Sequence, residues 1–87
     1  MSGEWQFVVN QAAWEAMAAM RSIERRQFRR GLEMLLADPH QQADAEMRSS
    51  RDRTYSVKYI GRFRVLYWLD AYVKELRVVK IERVPFR

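Results

Sequence analysis

Hydrophobic and polar positions alternate along this chain with two different periods, and the change of period marks out its elements. Residues 4–9 set Trp5, Phe7 and Val9 against Gln6 and Val8, the period-two pattern of a short strand. Asn10 offers an N-cap, and through Met20 the residues Ala13, Trp14, Met17, Ala18 and Met20 recur at helical spacing. Ser22 is placed to cap a second helix whose apolar side is Ile23, Phe28, Leu32, Leu35 and Leu36, with Arg25, Arg26, Arg29 and Arg30 facing out. Asp38-Pro39 stops that helix, because the residue before proline avoids helical dihedrals.

Residues 38–53 are mostly polar and read as one long connection, with Met47 as a peg to the core. From Arg53 the period returns to two, predicting strands near 54–60, 62–70 and 74–83. The first pair meets in a hairpin at Ile60-Gly61-Arg62, the second around Asp70-Ala71-Tyr72-Val73. The order β-α-α-β-β-β predicts an α+β domain spanning residues 1–87, with an N-terminal strand and a helical hairpin packed on one face of an antiparallel β-sheet. Its other face is left partly open.

Strand parity decides what that open face carries. With Tyr55, Val57 and Tyr59 packed on the helices beside Phe63, Val65, Tyr67 and Leu69, Lys58 and Arg64 emerge together on the exposed face, with Leu66 and Trp68 nearby. In the last strand Lys80 and Arg83 have opposite parity, so both reach that cluster only across a bulge. Trp5 and Trp14 fall on apolar stripes and are expected in the core.

Charge sharpens this picture. Up to Met47 there are five arginines against seven acids; from Arg48 onward there are eleven basic residues against four acids, so the halves carry −2 and +7. A basic half of this density points to nucleic acid or to an acidic protein partner. Cysteine is absent, which excludes a disulfide framework and a thiolate metal site. His40 is the sole histidine and reads as an exposed loop residue, so no metal and no cofactor are expected. No apolar run approaches the ~20 residues of a membrane span, and residues 1–10 lack a basic start and an apolar signal core; a cytoplasmic location is expected. Asp70, Glu75 and Glu82 lie on different strands and do not suggest paired-carboxylate glycosidase chemistry.

Residues 35–39 (Leu-x-x-Asp-Pro), the run from Tyr55 to Tyr67, and above all Gly61 followed by Phe63-Arg64-Val65-Leu66-Tyr67 resemble the RelE/ParE superfamily of bacterial type II toxins over nearly the whole chain. The resemblance implies the toxin of a toxin–antitoxin system, bound by a cognate antitoxin in a hetero-oligomer. Its RelE branch cuts mRNA on the ribosome, whereas its ParE branch poisons DNA gyrase. By the RelE likeness Lys58, Arg64 and Arg83 are the implied catalytic residues of a metal-independent endoribonuclease, in which a ribose 2′-hydroxyl attacks the adjacent phosphate. Arg64 would stabilise charge, Lys58 would act as base and Arg83 would stabilise the leaving side. Arg62, Trp68, Lys80, Phe86, Arg48 and Arg51 are the implied RNA-binding set. Ser56 stands where RelE-type enzymes often carry a second lysine, and Glu82 stands where histidine, lysine or glycine is common; a carboxylate there could neutralise Arg83 or take over as base. Phe86 can stack on a base but cannot donate a proton. These departures leave room for a gyrase inhibitor or for a non-cleaving partner protein. The arginines of the second helix read as a solvated face, with RNA backbone contact as the sharper option.

Overall fold

A computed structural model describes residues 4–49, 51 and 53–85. Strand β1 (Gln6–Val9) leads into helices α1 (Gln11–Ala18) and α2 (Ser22–Ala37), then strands β2 (Ala45–Arg48), β3 (Thr54–Ile60), β4 (Phe63–Asp70) and β5 (Glu75–Arg83) follow. The strands form one sheet in the order β1-β5-β4-β3-β2. β1 runs parallel to β5, and the other neighbours are antiparallel. The α+β arrangement expected from the sequence is present, with one addition: β2 lies inside the stretch expected to be a loop. All four of its residues are exposed and it pairs only at the sheet edge, with Met47 opposite Tyr55. An edge strand held by backbone bonds alone leaves no apolar alternation to detect, and Met47, 38% exposed, pegs nothing to the core.

α1 begins where Asn10 was expected to cap it, with the Asn10 side chain accepting the Ala13 backbone N–H at 2.8 Å. The same side chain donates from Nδ2 to the Val79 carbonyl at 2.9 Å. That carbonyl sits in a bulge, because Leu66 pairs with Lys80 but Tyr67 pairs with Val78, leaving Val79 as the extra residue. One amide thus starts α1 and fastens it to the irregular point of β5. Ala13 and Met17 face inward one turn apart, which turns Trp14 outward to 57% exposure, against its expected place in the core.

The cap of α2 lies one residue earlier than expected: Ser22 is the first helical residue and Arg21 is the N-cap, its N–H accepted by Glu24 Oε1 at 3.1 Å. Phe28, Leu32 and Leu35 are buried as expected, and Leu36 packs against them. Ile23 is not part of that stripe. Five residues before Phe28 it points about 140° away, and it is 53% exposed. The helix ends at Asp38, ahead of Pro39.

The core joins Ala13, Met17 and Met20, the α2 stripe, and Phe63, Val65, Tyr67, Leu76, Val78 and Ile81 from the sheet, with Phe7 and Val9 packed against it. Phe28 and Phe63 meet edge to face with ring centroids 5.5 Å apart. Trp5 is half-buried against the edge of His40, 5.4 Å between centroids. α2 passes so close to β3 that a Cβ on Gly31 would come within 2.3 Å of Ile60 Cγ2.

Replacing Asn10 tests its double attachment. Asn10→Ala should cost about 1–2 kcal/mol in denaturant unfolding. Asn10→Asp, which keeps the cap acceptor but loses the donor to Val79, should cost clearly less, and equal losses in the two variants would show that the bulge contact is the dominant one.

Candidate functional site

Register in the β3–β4 hairpin fixes which side chains share a face. Ile60 pairs directly with Phe63, so the connection is the two residues Gly61 and Arg62, with Gly61 at φ 60°. Directly opposed residues lie on the same side of a sheet. Since Phe63 is in the core, Ile60 points there too, and Lys58, opposite Val65, and Ser56, opposite Tyr67, follow it onto the helix side. Ser56 hydrogen-bonds the Tyr67 phenol, whose pKa is raised by burial and by the Asp44 charge. The open face therefore receives Tyr55, Val57 and Tyr59 from β3, the reverse of the expected parity.

This register separates the expected catalytic trio. Lys58 stands on the helix side, 23% exposed, with its Nζ 3.7 Å from Asp44 Oδ1, while the other carboxylate oxygen of Asp44 accepts the Tyr59 N–H at 2.8 Å. Arg83, opposite Phe63, also falls on the helix side. It holds Glu24 through two hydrogen bonds of 2.9 and 3.1 Å and lies 4.9 Å from the centre of the Phe63 ring. Of the three, Arg64 alone is on the open face. The register therefore does not gather on one face the three cations that the resemblance implied, and each of the three faces a carboxylate of its own.

The open face instead presents a row across three strands. Tyr59 on β3, Arg64 on β4 and Glu82 on β5 are consecutive register partners, and Lys80 projects beside Glu82. The Arg64 Nε donates to Glu82 Oε1 at 2.9 Å and its Nη2 donates to the same oxygen; the Lys80 Nζ reaches Glu82 Oε2 at 2.9 Å. Lys80 and Arg64 together hold the Glu82 carboxyl below the usual carboxylate range. Glu82 in turn raises the Arg64 pKa, and a hydrogen bond that Arg64 donates to the Tyr59 oxygen adds to the effect. The bulge at Val79 brings Lys80 to this face while Ile81 and Val78 both keep to the core. One carboxylate bridged by two cations, with Lys80 59% exposed, can exchange its cations with an incoming anion.

Further along the same face, Trp68 lies opposite Arg77, and the guanidinium carbons of Arg53 and Arg77 stand 4.6 and 5.6 Å from its ring centre. Arg77 is paired with Glu75 at 2.6 Å and with Asp70 at 3.6 Å. Trp68 shares the face of Arg64, as expected. Arg62 occupies the hairpin tip and lines a cleft of about 260 Å³ with Arg21, Gln27 and Phe63, away from the Arg64 row. Arg48 is on the exposed edge strand β2, and Arg51 is exposed in the turn before β3. Phe86 lies outside the described residues. Sequence reasoning missed Tyr59, which followed the wrong parity, and the partners Asp44 and Glu24, which lie in the other half of the chain with no local sign of their pairing. No cluster of three or more His, Cys, Asp or Glu suited to a metal occurs among the described residues, and no helix there is long and apolar enough to cross a membrane.

No protein-family model matches the chain, and no curated protein matches its sequence. Solved structures do match. The isolated RelE toxin of E. coli superposes with a TM-score of 0.73 at 15% identity, covering 95% of this chain and 87% of that one. The archaeal RelE–RelB complex of Pyrococcus horikoshii OT3 gives 0.71 at 15% identity, covering 93% and 96%. The RelBE2 toxin–antitoxin complex of Mycobacterium tuberculosis gives 0.71 at 12% identity, covering 93% and 99%. The chain has the RelE fold.

The Glu24 carboxyl is lowered from 4.5 to about 2, chiefly by its hydrogen bond to Arg83 and then by the Arg21 backbone. A depressed carboxylate contributes stability that is present above its unfolded value and is lost as pH falls through the folded one. The folded protein should therefore lose stability as pH drops from about 4.5 towards 2, and Glu24→Gln should flatten that limb of a denaturant-midpoint titration.

Proposed function

We propose that this chain is the toxin of a type II toxin–antitoxin pair and that it cleaves RNA through the row Tyr59, Arg64, Glu82 and Lys80. The RelE fold supports the toxin reading. The observation that carries the catalytic one is the Glu82 carboxylate suspended between Arg64 and Lys80 on the sheet face turned away from the helices. Phosphodiester cleavage by a neighbouring 2′-hydroxyl needs a base for that hydroxyl, positive charge at the phosphorane, and a proton for the leaving oxygen. A phosphate entering the row draws Arg64 and Lys80 onto its oxygens, as a planar guanidinium and a mobile ammonium are suited to do. Glu82, relieved of its cations, is then a carboxylate within reach of the 2′-hydroxyl.

The steps balance without a further reactant. Glu82 takes the proton of the 2′-hydroxyl, the 2′-oxygen bonds to phosphorus, and the bond from phosphorus to the 5′-oxygen breaks as Lys80 gives that oxygen a proton. The products are a 2′,3′-cyclic phosphate and a 5′-hydroxyl. Arg64 holds the equatorial oxygens, and Tyr59 fixes Arg64 from the other side. In this assignment Glu82 replaces Lys58 as base and Lys80 replaces Arg83 on the leaving side, because Lys58 and Arg83 are turned to the other face.

A second reading rests on the same carboxylates. With Lys58, Arg64 and Arg83 each facing an acid, the chain could bind without cutting, either as a gyrase inhibitor of ParE type or as a partner protein alone. Mapping the 5′ ends of transcripts in cells expressing the chain separates the two. Cleavage should yield codon-phased ends that fall by about 10²–10³-fold in Arg64→Ala and by about 10²–10⁴-fold in Glu82→Gln. Intact messages accompanied by DNA damage would establish the gyrase reading instead.

The acid limb offers a separate check. In the free protein Glu82 is lowered from its ordinary value by Lys80 and Arg64, so the acid limb of kcat/KM should lie below that of an ordinary glutamate. In the complex the cations have moved to phosphate, so the limb of kcat should lie at higher pH than that of kcat/KM. Coincident limbs, or limbs unaltered in Glu82→Gln, would remove Glu82 from the role of base.

A further inference from the structure

The sheet ends at β2, and the backbone of that strand is aimed in two directions. The two-residue hairpin makes Ile60 and Phe63 a hydrogen-bonded pair, so Ile60, Lys58 and Ser56 direct their amides to β4, and Tyr59, Val57 and Tyr55 turn theirs towards β2. Register carries this parity onward. Ala45 and Met47, opposite Val57 and Tyr55, bond inward, and the N–H and C=O groups of Glu46 and Arg48 point outward. Ser49 continues the alternation, giving its N–H to the Arg53 carbonyl at 2.7 Å. Both ends of the strand are tied down. Asp44 donates its N–H to the Val57 carbonyl at 2.9 Å while its carboxylate holds Lys58 and accepts the Tyr59 N–H. At the other end Ser49 Oγ accepts the N–H groups of Arg51 and Arg53, each at 3.2 Å. The outer edge is a short, fixed row of outward donors and acceptors, and every side chain of the strand is exposed.

We propose that this edge pairs with the same edge of a second copy of the chain, antiparallel about a two-fold axis at Met47. Three such registers bring outward-pointing residues together. Two of them set like charges directly opposite, Glu46 against Glu46 or Arg48 against Arg48, which is unfavourable. The third, centred on Met47, pairs Glu46 of each copy with Arg48 of the other, so every outward backbone group of the two residues is bonded and each carboxylate meets a guanidinium. Charges that ordinarily keep sheet edges apart are here complementary to themselves. On the opposite face Met47 meets Met47 in the closely spaced, non-hydrogen-bonded position, beside Tyr55 of each copy. An isologous contact uses the edge up and closes at two copies instead of growing into a fibre. The axis stands perpendicular to the sheet, so the two rows of Tyr59, Arg64, Glu82 and Lys80 share one side of the joined sheet. A strand of four residues buries little area, which places the pair among weak, reversible assemblies.

Sedimentation equilibrium of the full chain between about 10 μM and 1 mM should show exchange between monomer and dimer. Glu46→Arg and Arg48→Glu should each weaken the dimer about tenfold, and the double variant Glu46→Arg/Arg48→Glu, which restores opposite charges in exchanged places, should regain it. Glu46→Pro removes an outward donor and leaves the bonds to β3 intact, so it should be monomeric with the parent's thermal melting. The chain has no cysteine, so Met47→Cys reports the register directly. Oxidised glutathione should link two copies of that variant, whose paired Cα atoms stand about 4.5 Å apart, and should not link Tyr72→Cys, at a fully exposed turn. Arg64→Ala should dimerise like the parent, so the fate of the dimer is separate from that of the cleavage reading. A chain that stays monomeric to about 1 mM would overturn the proposal, leaving the edge for a strand of another protein. So would single charge variants that dimerise like the parent, a double variant no better than the singles, a dimer that persists in Glu46→Pro, or Met47→Cys linking no faster than Tyr72→Cys.

Discussion

The pairing of Ile60 with Phe63 determines most of what this molecule can do. A two-residue hairpin leaves no freedom in register: once Phe63 is committed to the core beside Phe28, every side chain of β3 is assigned to a face. Gly61 makes the turn possible by taking a positive φ, at a point where an added Cβ would meet no atom within 4 Å, so its freedom of backbone rather than its small size is what the position uses. The bulge at Val79 then makes the second assignment, returning Lys80 to the open face while Ile81 and Val78 stay inside. A site of four side chains on three strands thus follows from one tight turn and one extra residue.

The helices, their ends at Asn10 and Asp38, and four of the five strands could be read from periodicity and capping signals. β3 could not be oriented that way. Its two sides, Tyr55-Val57-Tyr59 and Ser56-Lys58-Ile60, differ in apolar content in the wrong direction: the richer side faces away from the helices, with Val57 1% exposed there opposite Leu66. The information was nonetheless in the chain. Counting only Gly61 and Arg62 as the turn, instead of giving Arg62 to the strand, forces Ile60 onto the core side and Lys58 with it. β2 had no such indication, since a strand exposed on every residue leaves only backbone pairing to identify it.

Charge shows the same gap between composition and space. Divided by sequence, the basic excess lies after Arg48. Divided by contacts, carboxylates from the acidic half cross to neutralise it, Asp44 on Lys58 and Glu24 on Arg83, while Glu82 serves Arg64 and Lys80 together. Arg26, Arg29 and Arg30 of α2, in the half whose net charge is negative, are among the arginines of the described residues left without acids. Net charge by segment describes the long-range field; only the paired geometry says where an anion would find a cation available.

If the row acts on RNA as proposed, that geometry also explains how a carboxylate can sit among cations meant for phosphate without defeating them. A bare pair such as Arg64 and Lys80 would repel each other across the sheet and bind any anion, whereas Glu82 holds both in place when the site is empty. An entering phosphate, with oxygens enough for both cations, replaces the single carboxylate rather than adding to it. On that reading the displaced carboxylate would lose the two contacts that depress its pKa and become a better proton acceptor as a 2′-hydroxyl comes alongside. Affinity falls because the phosphate must compete with Glu82, and in exchange basicity appears only when substrate is bound. A charge-balanced resting site is therefore compatible with catalysis, provided the balancing group is itself one of the reacting ones.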